Sequence, residues 1–370
     1  KYRLYLIHFI LKGVLTLKKI YFAASNSCMG FKNYFEDCFS KLDKLYIIKG
    51  GPGTGKSGFM RSAARVSEEK GYDVEYFYCS SDPSSLDGVI IDRNGKKLGI
   101  IDGTAPHAYE PRETGYKDNI INLGQCWQDG LLEMKKDEII KLNYAKSACY
   151  TYAYDYLRSC GNLRAVSDAL CRENIDYDKM SAAACRLVRG LPAGDKTETK
   201  IRLIDSVSML GRVRFDTYEF NASHLYIVGD MYGAGNFMME ELAGEISRRK
   251  IEFLISYDPV CPDKINALYE PVSGSAFVLT DKRMNTYEKN DSEKTVKYIN
   301  IKRFVKGAEF SENKSELKYA GDIYKTSLHG AIAMLYRAKK YHFLIEEIYK
   351  GAMNFSLVDE MICDFCNSVL

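Results

Sequence analysis

The sequence predicts an α/β protein made of two consecutive copies of one unit, and three observations carry that prediction. Apolar runs that read as buried parallel strands alternate with stretches of helical periodicity, the pattern of α/β folds. A glycine-rich segment, Gly50 to Ser57 (GGPGTGKS), lies between one such strand and one such helix. The landmarks around it then recur at an offset of 225 − 45 = 180 residues, where LYIVGDMYGAGNFMMEEL from Leu225 aligns with LYIIKGGPGTGKSGFMRS from Leu45.

Length and composition set the frame. A chain of 370 residues with 46% hydrophobic content is long enough for two cores. The net charge of +3, from 52 basic less 49 acidic residues, and the lack of a long Lys/Arg run exclude the electrostatic footprint of a nucleic-acid binder. Eleven cysteines, an odd number scattered through apparent strands and helices, argue against a disulfide framework and for a reducing compartment, the cytoplasm. Cys363 and Cys366 have C-x-x-C spacing, but without a second pair they read as buried thiols. Tyr5 to Leu17 is apolar apart from His8 and Lys12. It is shorter than the roughly 20 residues a membrane-spanning helix needs, and no A-x-A-like cleavage site follows before Lys18-Lys19. Residues 1–17 are therefore expected to be an extension outside the fold, with no membrane partner.

In chain order, Ile20 to Ala24 reads as a short strand and Asn33 to Leu42 as an amphipathic helix. Leu45 to Ile48 is the strand before the glycine-rich segment, and Gly58 to Lys70 the helix after it. Val74 to Cys79 reads as a strand ending in the turn Ser80-Ser81-Asp82-Pro83. Val89 to Asp102 contains Asn94-Gly95 between two apolar runs, a strong hairpin signal. From Asn119 to about Leu191 the sequence turns helical, over Leu131 to Tyr156, Leu163 to Cys171 and Lys179 to Leu187. The tyrosines at 144, 150, 152, 154 and 156 are read as helix packing. Residues 192–200 are polar and rich in breakers, a linker between a unit at 18–191 and a unit at 201–370.

Gly50 to Ser57 matches G-x-x-x-x-G-K-[ST], and its setting between strand and helix makes it a candidate P-loop. Each residue type has a job. Gly50, Gly51, Gly53, Gly55 and Gly58 let the backbone curl so that N–H groups face phosphate oxygens; Pro52 stiffens the loop and Thr54 adds another amide. Lys56 supplies a mobile cation for the β- and γ-phosphates, and the Ser57 hydroxyl is placed for Mg²⁺. Asp92 falls at the hairpin turn, whereas Asp102 ends the run Leu98 to Ile101 and is the expected Mg²⁺-side aspartate. Gly103 stands where many ATPases carry a glutamate, so the water-orienting base is open. Asp82 is the candidate; the alternative is that it only begins its Asp-Pro turn. His107 is a candidate phosphate sensor or a loop histidine, and Arg112 a candidate finger or a surface arginine.

The second copy departs at the chemistry. Asn236 stands for Lys56, Phe237 for Ser57 and Asp230 for Gly50. A loop without the cation and hydroxyl, and with a carboxylate near the anion cradle, is expected to reject triphosphate. Gly30 corresponds to Gly211, Asp82-Pro83 to Asp258-Pro259, and Asp102 is matched with Asp281.

On KKIYFAASNS…GF (Lys18 to Phe31), LYIIKGGPGTGKS, CSSDPSSLDGVII (Cys79 to Ile91) and IDGTAPH (Ile101 to His107), the chain resembles an uncharacterised bacterial family of P-loop ATPases with two tandem units. The resemblance covers nearly everything from Lys18 and implies nucleotide binding without naming a substrate. In that family the second loop often looks intact, and here it does not. The sequence lacks an N/T-K-x-D guanine reader, which favours ATP over GTP. Three function classes remain: an ATPase coupling hydrolysis to motion between the units, a small-molecule or nucleotide kinase, and an ATP-dependent regulator or scaffold with an unidentified protein partner.

Overall fold

The structure, a computed structural model, describes residues 19–280 and 294–370. The extension expected at 1–17 and the matched Asp281 lie outside the described residues. The chain forms two six-stranded, mostly parallel sheets flanked by helices.

The first half runs β1 (Ile20–Phe22), β2 (Ala24–Ser27), β3 (Gly30–Asn33), α1 (Phe35–Phe39), β4 (Lys44–Lys49), α2 (Lys56–Glu69), β5 (Asp73–Tyr78), β6 (Leu86–Arg93), β7 (Lys96–Asp102) and β8 (Asp118–Asn122). It ends in a helical tail of α3 (Asp129–Met134), α4 (Lys136–Arg172) and α5 (Tyr177–Val188). The second half repeats the order: β9 (Thr199–Ile201), β10 (Asp205–Ser208), β11 (Gly211–Arg214), α6 (Thr217–Asn221), β12 (His224–Gly229), α7 (Gly235–Arg248), β13 (Phe253–Tyr257), β14 (Ile265–Glu270), β15 (Ser275–Thr280) and β16 (Thr295–Ile299). Its tail is α8 (Gly307–Glu312), α9 (Lys314–Gly351) and α10 (Phe355–Ser368).

Both sheets share one topology. Their orders, β1-β5-β6-β7-β4-β8 and β9-β13-β14-β15-β12-β16, become identical when each strand of the first is replaced by the strand eight places on. In each, the one antiparallel strand, β6 or β14, belongs to a hairpin. In the first half the cause is local. Asn94 and Gly95 both adopt positive φ, +54° and +91°, which suits a two-residue hairpin turn, and Asp92 accepts the Gly95 N–H at 2.7 Å. β4 pairs with β7 on one side and β8 on the other, and Leu45, Ile47 and Ile48 on it are buried.

Some expected boundaries shift for identifiable reasons. The helix expected over Asn33 to Leu42 shrinks to α1, because Asn33 pairs with Ala24 in the β2–β3 hairpin and its side chain accepts the Phe35 N–H. The helical stretches expected from Leu131 to Cys171 are mostly one helix, α4, of 37 residues, about 55 Å at 1.5 Å per residue. The expected linker overlaps β9, which pairs in parallel with β13. Of the tyrosines on α4, Tyr154 donates to Asn26, whereas Tyr144 and Tyr152 are exposed.

The halves meet through reciprocal contacts. Cys28 N–H donates to Val260 O and Met209 N–H to Ser81 O. Likewise Ser25 Oγ donates to Pro259 O, and Ser206 Oγ to Ser80 O. Phe22 bridges Leu203, its own counterpart in the repeat. Each contact has a mate with the halves interchanged, as in an isologous dimer interface, with Ser80 and Ser81 in the places of Pro259 and Val260. The equivalent bonds from Cys79 N–H to Ser85 O and from Asp258 N–H to Lys264 O put Cys79 in the place of Asp258, which revises the match of Asp82-Pro83 with Asp258-Pro259 by three residues.

The tails cross over. α5 packs on α7, so that Met180, Ala183, Ala184 and Val188 join the core of the second sheet. α10 packs on α2, so that Val358, Phe365 and Cys366 join the core of the first. Phe365 lies 5.1 Å from Phe59 and 4.9 Å from Tyr46, ring centre to ring centre. Between these anchors α4 and α9 lie side by side, meeting through Ala153, Leu157, Cys160, Ala331 and Leu335. All eleven cysteines are free thiols, Cys366 buried and Cys363 exposed. Among the described residues, no helix is long and apolar enough to cross a membrane.

Candidate active site

The sequence-predicted residues converge. Lys56, Ser57, Asp82 and Asp102 line one cavity of about 640 Å³, together with the whole loop from Gly50 to Gly58 and with His107. Parallel strands β4 and β7 end side by side, with Ile48 opposite Asp102, so the loop leaving β4 and the carboxylate ending β7 share one sheet edge. That edge is where open α/β sheets bind ligands.

Local geometry shapes the loop. Gly53 and Gly55 have φ of +71° and +92°, a region that side chains with a Cβ avoid. At Gly53 the requirement is doubled, since an added Cβ would lie 2.8 Å from the Glu346 carbonyl oxygen on α9. Gly53→Ala is expected to destabilise the fold by about 1–2 kcal/mol from backbone strain alone. Denaturant unfolding measures this, and an unchanged midpoint would show that the loop and α9 yield freely.

Gly55 caps α2 without a side-chain hydrogen bond, and no acidic residue stands in the first turn. The positive end of the helix therefore opens into the cavity without a carboxylate of its own. Lys56 Nζ donates to Gly50 O at 2.9 Å and Gly51 O at 2.7 Å and lies 3.6 Å from Asp102 Oδ2. Asp102 is fixed by Thr104, whose N–H donates to Oδ1 at 2.9 Å and whose hydroxyl donates at 2.5 Å. Ser57 Oγ accepts the Leu86 N–H at 3.0 Å, which ties the loop to the start of β6.

Asp87 belongs to the site and was missed in the sequence reading. Its carboxylate, that of Asp102 and the His107 imidazole bring their ligand atoms within 4.8 Å of one another. A usable signal existed. The Asn94-Gly95 turn sets the ladder Arg93↔Lys96 through Gly88↔Ile101, and continuing it by one residue places Asp87 opposite Asp102. His107 Nε2 lies 3.4 Å from Asp87 Oδ2. Burial disfavours the imidazolium, but the Asp87 and Asp102 carboxylates outweigh it and push the histidine up to about 9.

Asp82 is committed on both oxygens. Oδ1 accepts the Ser84 N–H at 3.1 Å and the Ser84 hydroxyl at 2.5 Å, and Oδ2 pairs with Lys339 Nζ at 2.9 Å. Burial raises its pKa, but Lys339 and Ser84 more than offset this, so it falls below the ordinary carboxylate value. Arg112 is elsewhere: it pairs with Glu36 at 2.6 Å and is largely exposed.

The tails complete the cavity. α4 contributes Asn143, Lys146 and Tyr150, and α9 contributes Lys339, His342 and Glu346. No sequence signal marks these, because their approach depends on which sheet each tail covers.

The corresponding loop in the second half is filled from within. Asp230 Oδ1 accepts Gly233 N–H at 3.1 Å and Gly235 N–H at 2.9 Å at the start of α7. Arg164 from α4 lies 3.9 Å from Asp230 and hydrogen-bonds Asn236. The ladders also revise the match of Asp281 with Asp102. Ile48 faces Asp102, while its counterpart Val228 faces Leu279, so a leucine holds the position of the aspartate. Asn266, one residue before the Ala267↔Val278 pair, holds the position of Asp87.

Comparison of the chain with models of protein families, with curated proteins and with solved structures finds no match.

Proposed function

We propose that the first half binds one Mg²⁺-nucleoside triphosphate, ATP in preference, and hydrolyses it, and that the second half binds none. One observation carries this reading: two loops of parallel origin sit at equivalent sheet edges, one opening bare helix amides and a lysine to a cavity, the other closed on its own aspartate. The first has what a polyanion needs, and the second already holds an anion.

The amides of Gly53, Thr54 and Gly55 would cradle the phosphate chain, and Lys56 would exchange its carbonyl partners for phosphate oxygens. Mg²⁺ prefers oxygen ligands and keeps several waters, which fits the Ser57 hydroxyl and the fixed Asp102 carboxylate; it would neutralise charge on the phosphates. Water orientation is assigned to Asp87, whose carboxylate lies within 4.8 Å of Asp102 and 3.4 Å from His107 Nε2. Asp82 serves that role poorly while both its oxygens are engaged. The kinase reading gains no specific support, since nothing in the cavity marks an acceptor.

Calorimetric titration with Mg-ATP tests the reading. One site per chain is expected, together with phosphate release, and Asn236→Lys should leave the count at one because Asp230 and Leu279 remain. Two sites would refute the closed second loop. Absence of both heat and turnover would refute the nucleotide site itself.

A further inference from the structure

We propose that Lys339, supplied by the tail of the second half, is a phosphate-contacting residue of the first-half site: when triphosphate enters, its ammonium leaves Asp82 for the terminal phosphate. The proposal rests on the reading of this cleft as a triphosphate site and adds to it the cation that reads the third phosphate.

Lys339 lines the same cavity as Lys56, Ser57 and Asp102, although 283 residues of chain (339 − 56) separate it from Lys56 and 237 (339 − 102) from Asp102. Its side chain is 20% exposed, with Nζ 2.9 Å from Asp82 Oδ2 and 3.7 Å from Glu346 Oε1. Asp82 is held on the loop after β5 by Ser84, so the ammonium is parked at the sheet edge by a fixed carboxylate. Transfer to a phosphate oxygen exchanges one anionic partner for another. A cation that stays paired avoids most of the cost of desolvation. Ser57 and Asp82 also line an adjoining pocket together with Lys339, so this side chain stands between the loop and open space beyond it.

A second observation is a further lysine in the cleft without an ion-pair partner. Lys146, on α4, lines the same cavity and is half-buried, and no ion pair is formed for it among the described residues. Burial lowers its pKa below the ordinary lysine value. A half-buried ammonium without an ion pair, lining the same cavity as a bare helix N-terminus, suits an anionic ligand.

The position of α9 gives the contact a consequence. Leu317, near the start of this helix, is buried in the second-half core, and Lys339 lies 339 − 317 = 22 residues further on, about 33 Å along the axis. A pull on Lys339 by phosphate therefore acts on an element anchored in the other half.

The test is calorimetry on the full chain with Mg-ATP, Mg-ADP and the non-hydrolysable β,γ-imido analogue of ATP, for wild type, Lys339→Met, Lys339→Arg and Asp82→Asn. Lys339→Met should lose about tenfold or more in affinity for ATP and its analogue, as expected for one charge-assisted contact, with ADP affinity unchanged. Lys339→Arg should recover most of the loss. Asp82→Asn should bind the triphosphates at least as tightly as wild type, because the lysine is freed. If Lys339→Met leaves the ATP-to-ADP affinity ratio unchanged, or if it and Asp82→Asn shift affinity in the same direction, the pair is only structural and the inference fails. Wild type that binds none of the three nucleotides would overturn the triphosphate reading, and this proposal with it; wild type that binds them while the variants behave alike overturns this proposal alone.

Discussion

Lys56→Ala is expected to weaken Mg-ATP binding about ten- to a hundredfold and to reduce phosphate release by a further factor on the order of a hundred. The affinity loss follows from removing a cation that is only slightly exposed and that lies 3.6 Å from Asp102 at the mouth of the loop. The additional loss in turnover follows because charge develops on the transferring phosphoryl group, where Lys56 would act most strongly. Lys56 also ties the loop together through Gly50 O and Gly51 O. Lys56→Arg therefore belongs beside the alanine variant: it keeps the charge but cannot fill the same compact space, and it should retain partial binding with little turnover. Labelled-nucleotide binding and phosphate release measure the two effects. Turnover within twofold of wild type in the alanine variant would remove the loop from the chemistry.

A chain cut between residues 198 and 199 is expected to yield two fragments that do not fold alone but assemble when produced together. The first sheet's core includes Met353, Val358, Phe365, Cys366 and Leu370 from the far end of the chain. The second sheet's core includes Cys171, Ile175, Met180, Ala184 and Val188 from the near half. Each large apolar side chain removed forfeits about 1.5–3 kcal/mol of burial, and the surface it covered is exposed as well. Four such side chains in the first core (Met353, Val358, Phe365, Leu370) and three in the second (Ile175, Met180, Val188) come to about 4.5–12 kcal/mol, comparable to the whole stability of an ordinary domain, about 5–15 kcal/mol. Circular dichroism and gel filtration of each fragment, and of the pair, check this. A first fragment that is folded, monomeric and able to bind Mg-ATP would show that the exchanged tails are dispensable.

Much of the site was legible in the residues because local chemistry writes it locally. Lys56 and Ser57 follow from the spacing of a loop between a strand and a helix, and Asp102 from the end of an apolar run. Asp87 was equally within reach, since a two-residue Asn-Gly turn dictates the ladder that sets it opposite Asp102. The match of Asp281 with Asp102 failed because aligning by sequence offset ignores hairpin length, and the second hairpin pairs through Glu270↔Ser275 with a different loop. Register counted from β12 leads to Leu279 instead.

The sequence by itself determined the α/β character, the duplication, the hairpins and the intact or altered loops, because strand alternation, turn chemistry and glycine conformations depend on neighbours a few residues away. Tertiary structure alone decided that each tail covers the other half, that Lys339 and Lys146 line the first-half cavity, and that Asp230 closes the second loop with its own carboxylate. The tails could satisfy the same apolar pattern on either sheet, since the two copies present similar faces. Only the packing of α4 against α9, with the reciprocal bonds between the halves, selects the exchanged arrangement.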